Sequence, residues 1–405
     1  MLEGFTKLPL SKVASIERGK FSARPRNDPR YYGGEIPFLQ TGDIARAGRI
    51  VRNWTQTLNE LGLGVSKMFP RGTIFMSIAA NIGDVAISDF DAACPDSVVA
   101  VKPRDGFDSE WVFQSLKFSR KGLAALSTQN AQANLSLEKI EPFKVHVPPL
   151  HEQRRIAEIL RTWDEAIEKL EALRAARERR RLAAARQFFD PCHPKHAARP
   201  NDWQEHELGD VFRERVDAGS ADDRLLSITM NGGVIDRDDV GRKDTSTADK
   251  SKYKLILPGD LGYNTMRMWQ GVVGLSSLQG IVSPAYTIVT PVSEYILGAY
   301  AAHLFKSRRM VFDFERYSQG LTSDTWNLKF PAFSRIRVFL PPVELQKKKA
   351  DLLDGMLAEA AIIDREITAL QRQKRGLMQK LLTGEWRVSV DPSQSQTDEK
   401  EAAHG

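Results

Sequence analysis

Cysteine is almost missing: Cys94 and Cys192 are the only two in 405 residues, so neither a disulfide framework nor a four-thiolate zinc site can be built. No apolar run reaches the roughly 18 residues that a membrane span needs. The opening "MLEGFTKLPLSKV" lacks the basic-then-apolar layout of a secretory signal. A cytoplasmic protein without membrane contact is expected. Catalytic signatures are missing too: there is no Walker A loop, no G-x-S-x-G and no H-E-x-x-H, and "LGLGVSK" (61–67) has too few glycines to cradle a dinucleotide. Pro148-Pro149 and Pro341-Pro342 lack the preceding Asn or Asp and the following aromatic of an amino-methyltransferase motif, and Pro95-Asp96 has no downstream Glu-x-Lys to complete a nuclease metal site. Cys192, His193 and His196 have ligand-like spacing but lie in a proline-bounded segment with no fourth ligand nearby. No catalytic residue and no metal site is expected.

What the sequence does hold is a repeat. "VPPLHEQRRIAEIL" (147–160) returns as "LPPVELQKKKADLL" (340–353), and self-similarity at long range decides domain organisation before any local reading does. Laying Pro148-Pro149 on Pro341-Pro342 also lays Gln153 on Gln346, Leu160 on Leu353, and Phe188-Phe189 on Leu381-Leu382 without a gap. Upstream, "LPLSKV" (8–13) matches "HELGDV" (206–211), and "MFPRGTIFMSIAANIGDVAI" (68–87) matches "LILPGDLGYNTMRMWQGVVGL" (255–275). "STQNAQANLS" (127–136) matches "YSQGLTSDTWNLK" (317–329), with Asn134-Leu135 falling on Asn327-Leu328. The chain reads as globule, helix, globule, helix.

Each helix reads as about 40 residues, or about 60 Å at 1.5 Å per residue. In the first, Ile156, Leu160, Trp163, Ile167 and Leu170 recur at alternating four- and three-residue steps; in the second, Leu353, Met356, Ala360, Ile363, Ile367, Leu370, Leu377 and Leu381 keep the rhythm, with Lys374 the one charged intruder. Such seams require partners. The two are expected to pack on each other, antiparallel, rather than each folding back on its own globule. Pro149 and Pro342 follow short strands and suit the first helical turn, where the missing N–H forfeits no hydrogen bond.

Each globule is expected to be α+β, with strand-like runs such as "TIFMSI", "VAIS", "SVVAVKP", "LLSIT", "GVVGLSS" and "AYTIVTP", and one helix after the strands ("SEWVFQSLKFSRKGLAAL", "SEYILGAYAAHLFKSRRMVFDF"). Lys and Arg total 58 against 52 Asp and Glu, a net charge of +6, which fits a polyanion-binding surface without demanding one. The basic residues mix with amides, hydroxyls and aromatics in turn-rich stretches, where binding residues concentrate. Arg and Lys bind phosphate, and Arg, Asn and Gln can place two hydrogen bonds on one base edge. The candidates for DNA contact are Lys20, Arg24, Arg26, Thr41, Arg46, Arg49, Asn81, Gln129, Asn130 and Gln132 in the first globule. In the second they are Thr229, Asn231, Asn264, Arg267, Trp269, Gln270, Arg316, Tyr317 and Gln319. The frames agree while the polar spots differ, as in "SIAANIGD" against "NTMRMWQG", which suits two readers of unlike targets.

"PFLQTGDI" (37–44), the two Pro-Pro helix starts and the closing "QKRGLMQKLLTGEWRV" (373–388) resemble the specificity subunit of type I restriction-modification systems. The likeness covers nearly the whole chain to about Val390. It implies an α+β fold of two pseudo-repeated α/β target-recognition domains joined by two long antiparallel helices that form a coiled-coil spacer. The bounds are 1–147 and 203–340 for the recognition domains, 148–190 and 341–384 for the helices, 191–202 for a linker, and 385–405 for a tail, unstructured from Asp391. It further implies a bipartite, asymmetric DNA site, docking of two methyltransferase subunits and, through them, motor-nuclease subunits. S-adenosylmethionine, ATP and Mg belong to those partners, and this chain binds no cofactor. Spacing and docking fall on Pro149, Gln153, Ile156, Leu160, Trp163 and Ile167, and on Pro342, Gln346, Leu353, Met356, Ile363, Ile367 and Leu370. The family's Pro-Pro-Leu-x-Glu-Gln pattern is kept at Glu152 but broken by Leu345, which weakens one polar contact at that helix start. Two other readings compete: a single-chain restriction or modification enzyme, disfavoured by the missing motifs, and a coiled-coil scaffold with protein-binding heads, disfavoured by the basic, amide-rich loops.

Overall fold

A computed structural model describes residues 4–127, 134–192, 200–220, 222–241, 249–322 and 324–388. The chain divides into two compact units, Met1–Ala172 with Asp364–Gly405, and Leu173–Ile363, and the division falls inside both long helices, Leu150–Phe189 and Val343–Leu382.

The first unit is built on a five-stranded sheet in the order Ala14–Arg18, Val98–Pro103, Ile74–Ser77, Val85–Ser88, Ile50–Val51, antiparallel except for the last pair. The second has a four-stranded antiparallel sheet in the order Phe212–Arg215, Tyr286–Pro291, Leu261–Asn264, Val273–Leu275. Strand for strand, these repeat the first four. A two-stranded pair closes each unit beside the helix start: Thr6–Pro9 with Lys144–Val147, and Gln204–Glu207 with Arg337–Leu340. The repeat register holds down to single hydrogen bonds. Leu135 N–H donates to Ile78 O at 2.8 Å, and Leu328 N–H donates to Thr265 O at 2.8 Å, as the Asn-Leu alignment requires.

Within the first unit, Ile156, Ala157 and Leu160 of the first long helix share one core with Met378, Leu381 and Leu382 of the second, and with Trp111, Val112 and Phe113 of the helix Ser109–Ala125. In the second unit the opposite ends meet. Leu353 and Met356 of the second helix join Ala185, Phe188 and Phe189 of the first, Lys349 donates to Phe188 O at 3.3 Å, and Arg177 pairs with Glu359 at 3.1 Å. Start against end in one unit and end against start in the other makes the helices antiparallel. Each end also belongs to a globule's core, so the seam packs on both a partner helix and a sheet-backed helix. Ile167 and Ile363 are buried; Trp163, Ile367 and Leu370 are half-buried.

The Pro-Pro starts are one device used twice. Pro149 and Pro342 carbonyls accept the first helical bonds, from Gln153 N–H and Gln346 N–H, each at 3.0 Å. Gln153 is buried; its amide donates to Pro148 O at 3.0 Å and accepts from the backbone N–H of Asp108, the N-cap of helix Ser109–Ala125, at 3.0 Å. Gln346, also buried, donates to Pro341 O at 2.9 Å and Tyr295 O at 2.7 Å, and accepts from the N–H of Leu297, the N-cap of helix Gly298–Leu304, at 3.0 Å. One glutamine thus ties each long helix to the start of a globule helix. Gln346→Ala should cost about 2 kcal/mol, because buried backbone groups lose their partners; a denaturant titration of the second unit measures it.

One expectation needs correction. The second globule's single helix is two, Gly298–Leu304 and Arg308–Tyr317, because the Ser307 side chain accepts from Met310 N–H and starts a new helix there. Lys374, the charged intruder of the seam, is buried and paired. It donates to Asp164 Oδ2 at 2.5 Å and Gln114 Oε1 at 3.0 Å, while Lys117 approaches Asp164 Oδ1 at 3.3 Å. Glu152 is likewise buried, paired to Arg387 of the closing "GEWRV"; at the matching position Leu345 is half-buried and offers no carboxylate.

Candidate nucleic-acid interface

In the second unit the turn 264–271 joins the inner strand Leu261–Asn264 to the edge strand Val273–Leu275. Met268 is fully buried and anchors it, and Gly271 takes φ +78 so that the turn can close against Val311 of helix Arg308–Tyr317. Asn264 is committed to the turn, its Oδ1 accepting from Met266 N–H at 3.0 Å. With Met268 held inward, Arg267 and Gln270 are exposed. Trp269 is half-buried, donates its indole N–H to Met266 O at 3.0 Å, and meets Trp326 edge to face with centroids 5.5 Å apart.

Neighbouring segments complete this face. Gln319 and Asn327 exchange backbone bonds of 2.9 and 2.8 Å, and the next residue, Leu328, bonds Thr265. Tyr317 is half-buried against the core, and Arg316 lies over the exposed Phe312 ring at 5.9 Å. The hairpin Leu226–Thr229 with Gly233–Asp236 arrives alongside: Lys306 Nζ donates to Met230 O at 3.1 Å, and Gly233 sits against Gly274. Thr229 uses its hydroxyl in that turn, accepting from Gly232 N–H at 3.0 Å, and Asn231 is exposed at its tip. The second-unit candidates therefore gather on adjoining turns. Lys306, Met266, Phe312 and Trp326 belong with them and were not anticipated; Trp326 could have been, as an aromatic within the loop aligned to "STQNAQANLS".

In the first unit the matching turn, 77–84, buries its two isoleucines, Ile78 and Ile82, and has Ala80 at φ +58 and Asn81 exposed. Lys20 and Leu39 bond the carbonyls of Cys94 and Ala93, at 3.0 and 2.9 Å, so the two basic stretches emerge side by side, and Phe21 packs on Phe38 at 5.1 Å. Lys20 is exposed. Arg24 donates to Ala23 O at 2.7 Å and Arg26 pairs with Asp96 at 2.6 Å. Thr41 and Arg46 lie on the short helix Thr41–Arg46, organised by Asp43. That buried carboxylate accepts from Gln40 N–H at 2.9 Å, Thr55 Oγ1 at 3.2 Å and Arg46 Nη2 at 2.6 Å. Arg49 is held away from solvent by Glu110, in a chain that continues through Gln114 to Asp164 and Lys374. A phosphate or base would have to break that pair. Gln129, Asn130 and Gln132 lie outside the described residues, as do His193, His196 and the tail from Asp391.

Among the described residues, no group of three His, Cys, Asp or Glu could hold a metal ion, and no helix is long and apolar enough to cross a membrane. The face offers cations for phosphate, a guanidinium and amides for base edges, and apolar carbon.

Comparison with known proteins matches residues 3–176 to the family described as the type I restriction modification DNA specificity domain. The chain is 26% identical over 209 residues to the type I restriction enzyme MjaIX specificity subunit of Methanocaldococcus jannaschii, covering 47% of each. It is 31% identical over 80 residues to the EcoprrI specificity subunit of Escherichia coli, covering 20% of each. The matched stretches span less than half of these relatives' lengths. Among solved structures, the fold resembles the type I restriction-modification S subunit from M. genitalium, with a TM-score of 0.59, 15% identity and coverage of 96% of this chain and 97% of that one. A structure from work on assembly and conformational transition of the type I system gives 0.56, also at 15% identity, covering 95% and 99%.

Proposed function

We propose that the chain, whose residues 3–176 match the type I restriction modification DNA specificity domain, is a member of that family and reads a bipartite, asymmetric DNA site, one half with each unit. The observation that carries this reading is the pairing of one frame with two unlike turns. Equivalent strands and the equivalent Leu135 and Leu328 bonds hold "SIAANIGD" in one unit and "NTMRMWQG" in the other. Lys20, Arg26, Arg46, Arg316 and their neighbours bind phosphate and set position, while Arg267, Gln270, Asn231 and Asn81 face base edges. The long helices fix the gap between half-sites and dock two methyltransferase subunits, through which motor-nuclease subunits join. The chain itself is non-catalytic. S-adenosylmethionine, ATP and Mg act on the partners, in the cytoplasm, where the DNA is.

The test is to express the chain with its methyltransferase partner in a host lacking DNA methylation and to map methylated bases by single-molecule sequencing. Two short specified blocks separated by a fixed run of unspecified bases are expected. A single continuous block would contradict the two-reader account.

A further inference from the structure

The second unit presents an apolar ridge where the first has Ala79 in place of Met266 and the buried Ile82 in place of Trp269. Met266 is 46% exposed, Trp269 spends its only donor on the Met266 carbonyl, and Trp326 buttresses it edge to face. The ridge therefore offers carbon, held rigidly, because Met268 roots the turn in the core and Leu328, two residues beyond Trp326, is bonded to Thr265. A large exposed apolar group amid cations and amides is costly in water unless something apolar covers it. Arg267 and Gln270, on the same turn, have the forked and amide geometries that fit base edges of the major groove. In that groove thymine alone among the four bases offers a methyl group.

We propose that Met266, Trp269 and Trp326 form a thymine-methyl reader, so that the half-site read by the second unit contains at least one thymine contacted through its 5-methyl group. This rests on the DNA-reading function above and adds the chemistry of one position. In the first unit Ala79 and the buried Ile82 take the corresponding places, and no such position is expected in its half-site.

The experiment uses the full chain with its methyltransferase partner and duplexes containing the mapped site. Each thymine of the half-site that responds to Arg267→Ala is replaced in turn by deoxyuridine, which removes the methyl group alone. The reader predicts that one replacement weakens binding about fourfold, the worth of one buried methyl-sized group. In Met266→Ala or Trp269→Ala chains, thymine and deoxyuridine duplexes should bind alike. Met266→Ala touches only an exposed side chain, so it reports even where the tryptophan change loosens the turn. A half-site without thymine, no penalty at any position, or a penalty unchanged in both variants overturns the reader while leaving sequence-specific binding intact. Loss of sequence-specific binding to every duplex by the unaltered complex overturns the DNA-reading function with it.

Discussion

A Lys374→Met chain should unfold its first unit about 3 kcal/mol more readily than the parent, the lower end of what breaking a buried ion pair costs. Methionine keeps the aliphatic stem but removes the ammonium together with the N–H donors that Asp164 and Gln114 accept from, which a deprotonated lysine would retain. It leaves Asp164, itself buried, with Gln114 at 2.7 Å and the partly exposed Lys117 at 3.3 Å, which is why the loss stays at the lower end. Burial, followed by the repulsion of Lys117, pushes the Lys374 ammonium down from its ordinary 10.5 to about 8. For Asp164 burial pushes upward, and Lys117 and Lys374 together pull the carboxyl below its ordinary value. The pair is therefore expensive to form and more expensive to break. Replacing both members, Asp164→Leu with Lys374→Met, should return stability to within about 1 kcal/mol of the parent. The pH dependence follows from the direction of the lysine shift. Between about 8 and 10.5 the unfolded lysine is protonated and the folded one is not, so stability rises with pH across that window. The contribution is full above 10.5 and lost as pH falls through about 8. Denaturant titrations at several pH values should show a shallower rise for Lys374→Met.

Arg267→Ala should relax preference at one position of one half-site by about tenfold or more, the worth of a bidentate guanidinium on a base edge, and leave the other half unchanged. The turn is rooted by the buried Met268 rather than by Arg267 itself, so the fold should survive. Competition binding against single-base variants of the mapped site measures the effect. Arg316→Ala, assigned to phosphate, should instead weaken binding to all sequences and flatten the salt dependence. If Arg267→Ala behaved in that second way, the turn would be gripping the backbone rather than reading bases.

The frame was legible in the sequence because it depends on local pattern. The Pro-Pro starts, the seam residues and the Asn-Leu register are each spelled out within a few residues, and the duplication states them twice. Side-chain pairing was not legible, because it joins residues far apart in the chain. Arg49 reads as an exposed cation until Glu110 is brought beside it, and Lys374 reads as a flaw in a seam until Gln114 and Asp164 close around it. Asp43 was missed because a Gln-x-x-Asp start departs from the usual Ser- or Thr-led capping box, and burial turned it into the hub for Gln40, Thr55 and Arg46. The split of the second globule's helix turned on one hydroxyl, Ser307, against a continuous apolar rhythm.

The central claim is that two copies of one unit read two unlike half-sites. It is tested most directly by replacing residues 203–340 with a second copy of residues 5–147 and mapping the bases methylated by the assembled complex. The account predicts a site whose two halves are both the block formerly read by the first unit. A methylated site that still contains the original second block would contradict it.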